Sequence, residues 1–302
     1  MKPNKQIALD RSYVSLVIHP MTKILEERRE AWITISIFIA LLCGLSGLAH
    51  FAIVQLNPAS IYVGALMWCP ALAALITLSI RGRAWSTLPW KWGHWRFNWQ
   101  SYLIPVLYVS VAYGLIWALG LGGGPNRETV AEWTTELGFK PGSVWAPLLV
   151  MTGLLATVQL IKSLGSIIGE EIGWRGFFIW ELRKVLPFGG VSLVSGLIWA
   201  AWHFPIIIAY GGGDPAIQLG CFTLMIVSMS IIMTYFTFRS ESLWPAVFFH
   251  AAHNIFIQKI FTPLTEQNET TGLWIDEYGL MVPIIVTFAA LFYWRKAKVE
   301  GM

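Results

Sequence analysis

Residues 31–80 form a run of fifty residues without a single Lys, Arg, Asp or Glu. A hydrocarbon core ~30 Å thick is crossed by about 20 helical residues, so this run is long enough to cross it twice. The turn sequence Asn57-Pro58-Ala59-Ser60 divides the run. Inside lipid the chain must satisfy its own backbone amides, which a helix does within one segment. The run therefore predicts a pair of transmembrane helices.

The composition extends this conclusion to most of the chain. Hydrophobic residues make up 56% of the sequence and charged residues 13%, whereas a soluble domain is about 25% charged. A soluble enzyme, a disordered chain and a nucleic-acid-binding protein are therefore disfavoured. The net charge of +4 is better explained by membrane orientation. Cys43, Cys69 and Cys221 are odd in number and lie in apolar segments, which excludes a disulfide scaffold or a zinc–thiolate site.

Further charge-poor stretches predict an all-α, polytopic bundle of about eight transmembrane helices. They lie near 31–56, 60–80, 100–121, 145–178, 190–210, 216–238, 243–260 and 277–294. The chain is divided accordingly into an N-terminal tail (1–30), helices 1–3 with their loops (31–140) and a C-terminal core of helices 4–8 (141–302).

The distribution of positive charge predicts that both termini are cytoplasmic. With eight spans, the loops on the opposite side hold only Arg127, Lys140 and Lys259 of the 21 Lys and Arg residues. Loops rich in Lys and Arg stay in the cytoplasm.

Ionisable residues within spans are costly and indicate function. The fourth span contains Glu170, Glu171 and Arg175. Glu171 and Arg175 are four residues apart and can form an ion pair along one face. Glu170 points about 100° away from Glu171 and is left available for chemistry. Lys162, two turns earlier, could line the same cavity or extend to the membrane surface.

Two other spans carry imidazoles. The fifth contains His203, with Trp199 one turn before it, and the seventh contains His250 and Asn254 on a common face. For His253 we predict no catalytic role and interpret it as a neighbouring histidine that is hydrogen-bonded. If these groups converge with Glu170, they satisfy one another; scattered into lipid, each would cost free energy.

Such a cluster is suited to hydrolysis by an activated water. Glu170 would be the general base, His203 would orient the water, and His250 with Asn254 would stabilise the oxyanion. An alternative places Zn²⁺ on Glu170, His203 and His250 with a water as fourth ligand. Asparagine is a poor zinc ligand, and its presence favours the mechanism that uses no cofactor.

The three motifs together resemble the CPBP family, the CAAX proteases and bacteriocin-processing proteins also called Abi. They are Glu-Glu-x-x-x-Arg, aromatic-x-x-x-His and His-x-x-x-Asn, and the resemblance covers about 140–260. Its well-understood members are type II CAAX prenyl endopeptidases. The first aromatic of the second motif is usually Phe in the family and is Trp199 here.

The resemblance implies an intramembrane endopeptidase with a cavity that opens to the cytosol. Glu170, His203, His250 and Asn254 take the catalytic positions, and Glu171, Arg175 and Trp199 support them. The implied partners are the bilayer and a membrane-associated protein substrate, prenylated in one branch of the family; no nucleic acid is expected. Two other hypotheses stay open: a non-enzymatic immunity or scaffold protein, and a transporter that uses the same residues as a proton relay.

Overall fold

A computed structural model describes residues 19–56 and 58–302 of the chain. Nine helices account for most of the described residues, and the prediction of an all-α bundle is confirmed. They are α1 (His19–Phe51), α2 (Ser60–Ile80), α3 (Trp95–Ala118), α4 (Arg127–Glu136), α5 (Trp145–Arg183), α6 (Phe188–Tyr210), α7 (Pro215–Ser240), α8 (Trp244–Asn254) and α9 (Met281–Val299). π-helical turns extend α1 through Ala52–Leu56 and α8 through Ile255–Phe261. Helix α1 begins inside the predicted tail 1–30, of which residues 1–18 lie outside the described residues.

Six of the described helices, α1, α2, α3, α5, α6 and α7, are long and apolar enough to cross a membrane. Many of their large apolar side chains are exposed on the outside of the bundle, such as Leu48 at 74% and Leu149 at 71%. Soluble proteins rarely expose so much contiguous apolar surface. The protein is therefore an integral, multi-pass membrane protein.

The two remaining predicted spans are also helices, but they are not among the six that are long and apolar enough to cross a membrane. Helix α8 carries the polar motif residues His250, His253 and Asn254. Helix α9 begins at Met281 rather than near 277, and it ends in a basic turn. On length and composition alone the structure thus supports six spans, two fewer than the predicted eight.

Side-chain caps define where two helices begin. Asn126 accepts hydrogen bonds from the backbone N–H groups of Glu128 and Thr129, and this cap starts α4, a helix that the apolar pattern does not predict. Asp214 caps α7 in the same way, followed by Pro215 in the first turn. Both are preferred N-cap residues because they satisfy amides that have no partner within the helix.

Helix α5 is unusually long and irregular. It spans 39 residues, ~58 Å at 1.5 Å per residue, and contains π-helical turns at Leu155–Gln159 and Ile172–Phe178. The second follows Glu171 directly, and π turns are frequent at functional sites.

Two glycines of α5 allow its backbone to lie against α2. A Cβ atom on Gly173 would be 2.4 Å from the Cβ of Pro70, and one on Gly169 would be 2.7 Å from the carbonyl oxygen of Met67. Small residues four apart are typical of closely packed membrane helices. The glycines flank Glu170 and Glu171, so the same contact that joins α5 to α2 also holds the two glutamates in place.

Candidate active site

A cavity of about 420 Å³ lies between α2, α5, α6, α7 and α8. Five of the seven residues that the sequence assigns catalytic or supporting roles line it. They are Glu170 from α5, Trp199 and His203 from α6, and His250 and Asn254 from α8. The fold therefore brings side chains from three separate helices to one space within the membrane-spanning bundle.

Glu170 is held by one directed hydrogen bond. Its side chain is buried, with 2% exposure, and its Oε2 accepts a hydrogen bond of 3.0 Å from the indole Nε1 of Trp199. Within residues 19–56 and 58–302, no donor bonds to the other carboxylate oxygen, Oε1. The carboxylate is thus oriented and still has an oxygen available to a water molecule.

Glu171 has the opposite environment. The guanidinium of Arg175 donates to both of its oxygens, at 3.1 and 3.2 Å, and His250 Nδ1 lies 2.8 Å from Oε1. Arg175 also donates to Ser230 Oγ at 3.2 Å. All four side chains are buried, and neither Glu171 nor Arg175 lines the cavity. Adjacent helical positions point about 100° apart, which explains why two neighbouring glutamates have different surroundings.

Trp199 contacts both Glu170 and the Glu171–Arg175 pair. The Arg175 guanidinium carbon lies 3.9 Å from the centre of its ring, a cation–π contact, and the ring of His250 packs edge-on at 5.3 Å. Sequence reasoning predicts a packing role for this aromatic residue. It misses the hydrogen bond to Glu170, which a phenylalanine at this position could not make; the replacement of the usual Phe by Trp was the available signal.

His203 has a defined tautomer. Its Nδ1 lies 2.9 Å from the backbone carbonyl oxygen of Trp199. A carbonyl only accepts, so Nδ1 carries the proton and Nε2 of the neutral ring presents a lone pair. The rings of Trp202 and Phe222 pack against the imidazole at 4.7 and 5.1 Å and fix its orientation.

A second polar group lines the same cavity, and the sequence reasoning named only His253 among its members. His253, Gln258 and Glu277 all line the cavity. His253 bonds through Nδ1 to the hydroxyl of Tyr108, and its Nε2 lies 3.6 Å from Glu277 Oε1. Gln258 donates to the same carboxylate at 2.9 Å. The sequence interpretation of His253 as a hydrogen-bonded neighbour agrees with these contacts, but no local motif links Tyr108 or Glu277 to it.

The structure also bears on Lys162 and on the zinc alternative. Lys162 is exposed on α5 and does not line the cavity. In the described part of the chain, no three His, Cys, Asp or Glu side chains are arranged to hold a metal ion. Glu170, His203 and His250 line one cavity, and Nδ1 of each imidazole is engaged elsewhere, which leaves Nε2 of each ring for other partners.

Comparison with known proteins supports the resemblance. Residues 145–256 match the family model described as type II CAAX prenyl endopeptidase Rce1-like. The chain is also similar to CAAX prenyl protease 2 of Methanococcus maripaludis, with 26% identity over 159 residues. That match covers 50% of this chain and 54% of the relative, so the chain spans about half the length of the curated relative that it matches. The matched segment contains Glu170, His203, His250 and Asn254, and through it the chain carries a domain of the Rce1-like type II CAAX prenyl endopeptidase family.

Proposed function

We propose that this protein is an intramembrane endopeptidase in which Glu170 activates a water molecule. The proposal rests on one observation: two adjacent glutamates have different environments. Glu171 is neutralised by Arg175, whereas Glu170 lines a cavity together with two imidazoles and an amide. The family domain and the relative's name, a prenyl protease, support the same activity.

In the proposed reaction, Glu170 removes a proton from water while the water oxygen attacks the scissile carbonyl. The lone pair on His203 Nε2 accepts a hydrogen bond from the same water and aims it. When the tetrahedral intermediate collapses, Glu170 returns the proton to the leaving amine, and the peptide C–N bond breaks. A positioned carboxylate acting in this way contributes about 10²–10⁴-fold to a rate.

Asn254 and His250 are the proposed donors to the oxyanion. The Asn254 side chain forms no hydrogen bond with any residue from 19 to 56 or from 58 to 302, so its amide is free to donate to a substrate oxygen. His250 donates from Nε2 only when its ring is protonated, since Nδ1 is bonded to Glu171. The buried carboxylates of Glu170 and Glu171 carry two negative charges, and the guanidinium of Arg175 carries one positive charge. A proton on His250 or on Glu170 makes this cluster neutral.

The substrate that we propose is a membrane-associated polypeptide, for which a prenylated CAAX protein is the form suggested by the family. We also propose that both termini are cytoplasmic, because the segments at that end of the bundle carry most of the Lys and Arg residues.

The test compares membranes that contain the wild-type protein with membranes that contain Glu170→Gln. We expect mass spectrometry to find new C-termini on membrane proteins only in the presence of the wild type. Glu136→Gln, an exposed glutamate on α4, is the matched control and should behave as the wild type. Identical C-termini with Glu170→Gln would refute the proposal and favour the non-enzymatic interpretation.

A further inference from the structure

A second cavity, of about 650 Å³, lies between the loop that joins α2 to α3 and the last turns of α5. It shares no lining residue with the cavity of Glu170. Three membrane-crossing helices end beside it, since α2 ends at Ile80, α5 at Arg183 and α7 at Ser240. Trp90 and Trp180 line it, and such aromatic rings are enriched where spans leave the hydrocarbon. This second cavity therefore lies at the level of the lipid headgroups.

The wall of the second cavity carries an excess of positive charge. Six charged side chains line it, four positive and two negative: Arg83, Lys91, Arg183, Lys184, Glu181 and Glu241. A neighbouring cavity beside α1 shares three of these residues, but there four glutamates nearly balance five Lys and Arg residues. The attraction for an anion is therefore greatest in the second cavity.

Glu181 fixes two of the four cations without neutralising both. Its side chain is 1% exposed, and its two oxygens accept hydrogen bonds from Arg83 at 2.6 Å and from Lys184 at 2.7 Å. The side chains of Arg83 and Lys184 are 37% and 44% exposed, so their remaining N–H groups are accessible to a ligand. Cations that are already held in position lose less conformational entropy when an anion binds.

The other two cations have no acidic partner. No carboxylate in the part of the chain that the structure describes forms an ion pair with Arg183 or Lys91. The guanidinium of Arg183 lies over the rings of Phe238 and Trp180, at 4.3 and 5.7 Å from their centres. These contacts orient the guanidinium and leave its N–H donors unused. A planar guanidinium matches the geometry of phosphate oxygens.

We propose that the second cavity binds the phosphate group of an anionic phospholipid. Membrane orientation accounts for the number of Lys and Arg residues at this end of the bundle, but it requires neither a cavity nor a buried carboxylate between two of the cations. Leu88 and Phe177 add apolar surface to the wall, which suits the glycerol and acyl groups of a lipid. Basic pockets between transmembrane helices are typical sites for anionic headgroups. This proposal goes beyond the proposed function and does not depend on it.

Native mass spectrometry of the detergent-purified protein tests the proposal. The probes are phosphatidylglycerol, which is anionic, and phosphatidylcholine with the same acyl chains, which has no net charge. We expect the wild type to bind phosphatidylglycerol more tightly than phosphatidylcholine. The variant Arg183→Gln/Lys91→Gln removes the two cations without an acidic partner. It should bind phosphatidylglycerol roughly 30-fold more weakly, since each cation near an anionic headgroup contributes about fivefold.

The matched control is Arg295→Gln/Lys298→Gln, which removes two exposed cations from the last turn of α9. These residues lie at the same end of the bundle, because Glu300 pairs with Arg239 at 3.1 Å, but they do not line the second cavity. The control should bind phosphatidylglycerol as the wild type does. Phosphatidylglycerol should also raise the unfolding temperature of the wild type and of the control, and not that of Arg183→Gln/Lys91→Gln.

Two results would overturn the proposal. One is equal affinity of the wild type for the two lipids. The other is an equal loss in the control, because the charge of the whole end of the bundle would then attract the lipid. Glycerol 3-phosphate distinguishes a lipid from a soluble phosphate ester. We expect it not to displace phosphatidylglycerol, and displacement at a comparable concentration would refute the assignment to a lipid. None of these measurements uses catalysis, so a failure of the proposed function with Glu170→Gln leaves them unaffected.

Discussion

The indole Nε1 of Trp199 donates a 3.0 Å hydrogen bond to Oε2 of Glu170, so a residue outside the reacting set orients the proposed general base. The same ring covers the guanidinium of Arg175. Trp199 therefore contacts both Glu170, the proposed base, and Arg175, the residue that neutralises Glu171.

Replacing Trp199 with Phe should lower kcat more than it changes KM. The ring contact with Arg175 survives, but the bond to Glu170 is lost. A hydrogen bond to a charged group contributes about 1.5–3 kcal/mol, which corresponds to a rate loss of at least about tenfold. Trp180→Phe is the control, since that indole donates only to the backbone carbonyl of Arg175. Equal kinetics for the two variants would show that the Trp199 bond does not position Glu170.

Glu171→Ala should destabilise the protein strongly. It leaves the guanidinium of Arg175 buried without its carboxylate partner, and breaking a buried pair on one side costs about 3–5 kcal/mol. Thermal unfolding in detergent measures the loss. The double variant Glu171→Ala/Arg175→Met removes the unpaired charge and should recover part of the stability. If the double variant were as unstable as the sum of the single ones, charge burial would not be the cause.

Gly173→Ala should separate α5 from α2. The added methyl group would lie 2.4 Å from the Cβ of Pro70, so one of the two backbones must shift and both stability and activity should fall. Gly153→Ala on the same helix is the control, because its Cβ would meet no atom within 4 Å. That change should be neutral or stabilising, since alanine is the better helix former by about 1 kcal/mol. Comparable losses in both variants would contradict the packing explanation.

Stability should depend on pH through Glu277, which lies in the loop before α9. Burial raises the pKa of its carboxyl to about 7, above the ordinary value of 4.5. The folded protein therefore keeps this proton where the unfolded chain has lost it, and stability falls as the pH rises from about 4.5 to about 7. Glu277→Gln should flatten unfolding curves across that window. An unchanged pH dependence in the variant would assign the effect to other groups.

Chelation should leave proteolysis unchanged. The described residues provide no set of three His, Cys, Asp or Glu side chains arranged to hold a metal ion, and Asn254, which lines the same cavity, is a poor zinc ligand. Elemental analysis of the purified protein is combined with an activity assay after treatment with a chelator. Stoichiometric zinc together with loss of turnover would establish the zinc-dependent alternative.

Much of the architecture followed from local sequence features. Ser60–Ile80 was predicted to the residue, because a turn at one end and arginines at the other mark its limits. The ion pair between Glu171 and Arg175 was predicted from helical spacing and is present at 3.1 Å. The extent of α4 was not predicted, since it lacks the apolar periodicity on which such predictions depend.

The sequence by itself determined that this chain is a membrane-embedded helical bundle and which side chains are too polar to face lipid, because hydropathy and spacing act within a single helix. Only the tertiary structure decided that Trp199 bonds to Glu170 and that His250 pairs with Glu171. It also decided that Glu277 and Tyr108 both contact His253. These relationships join residues on different helices, and their distances depend on how the helices pack, which no local pattern in the chain encodes.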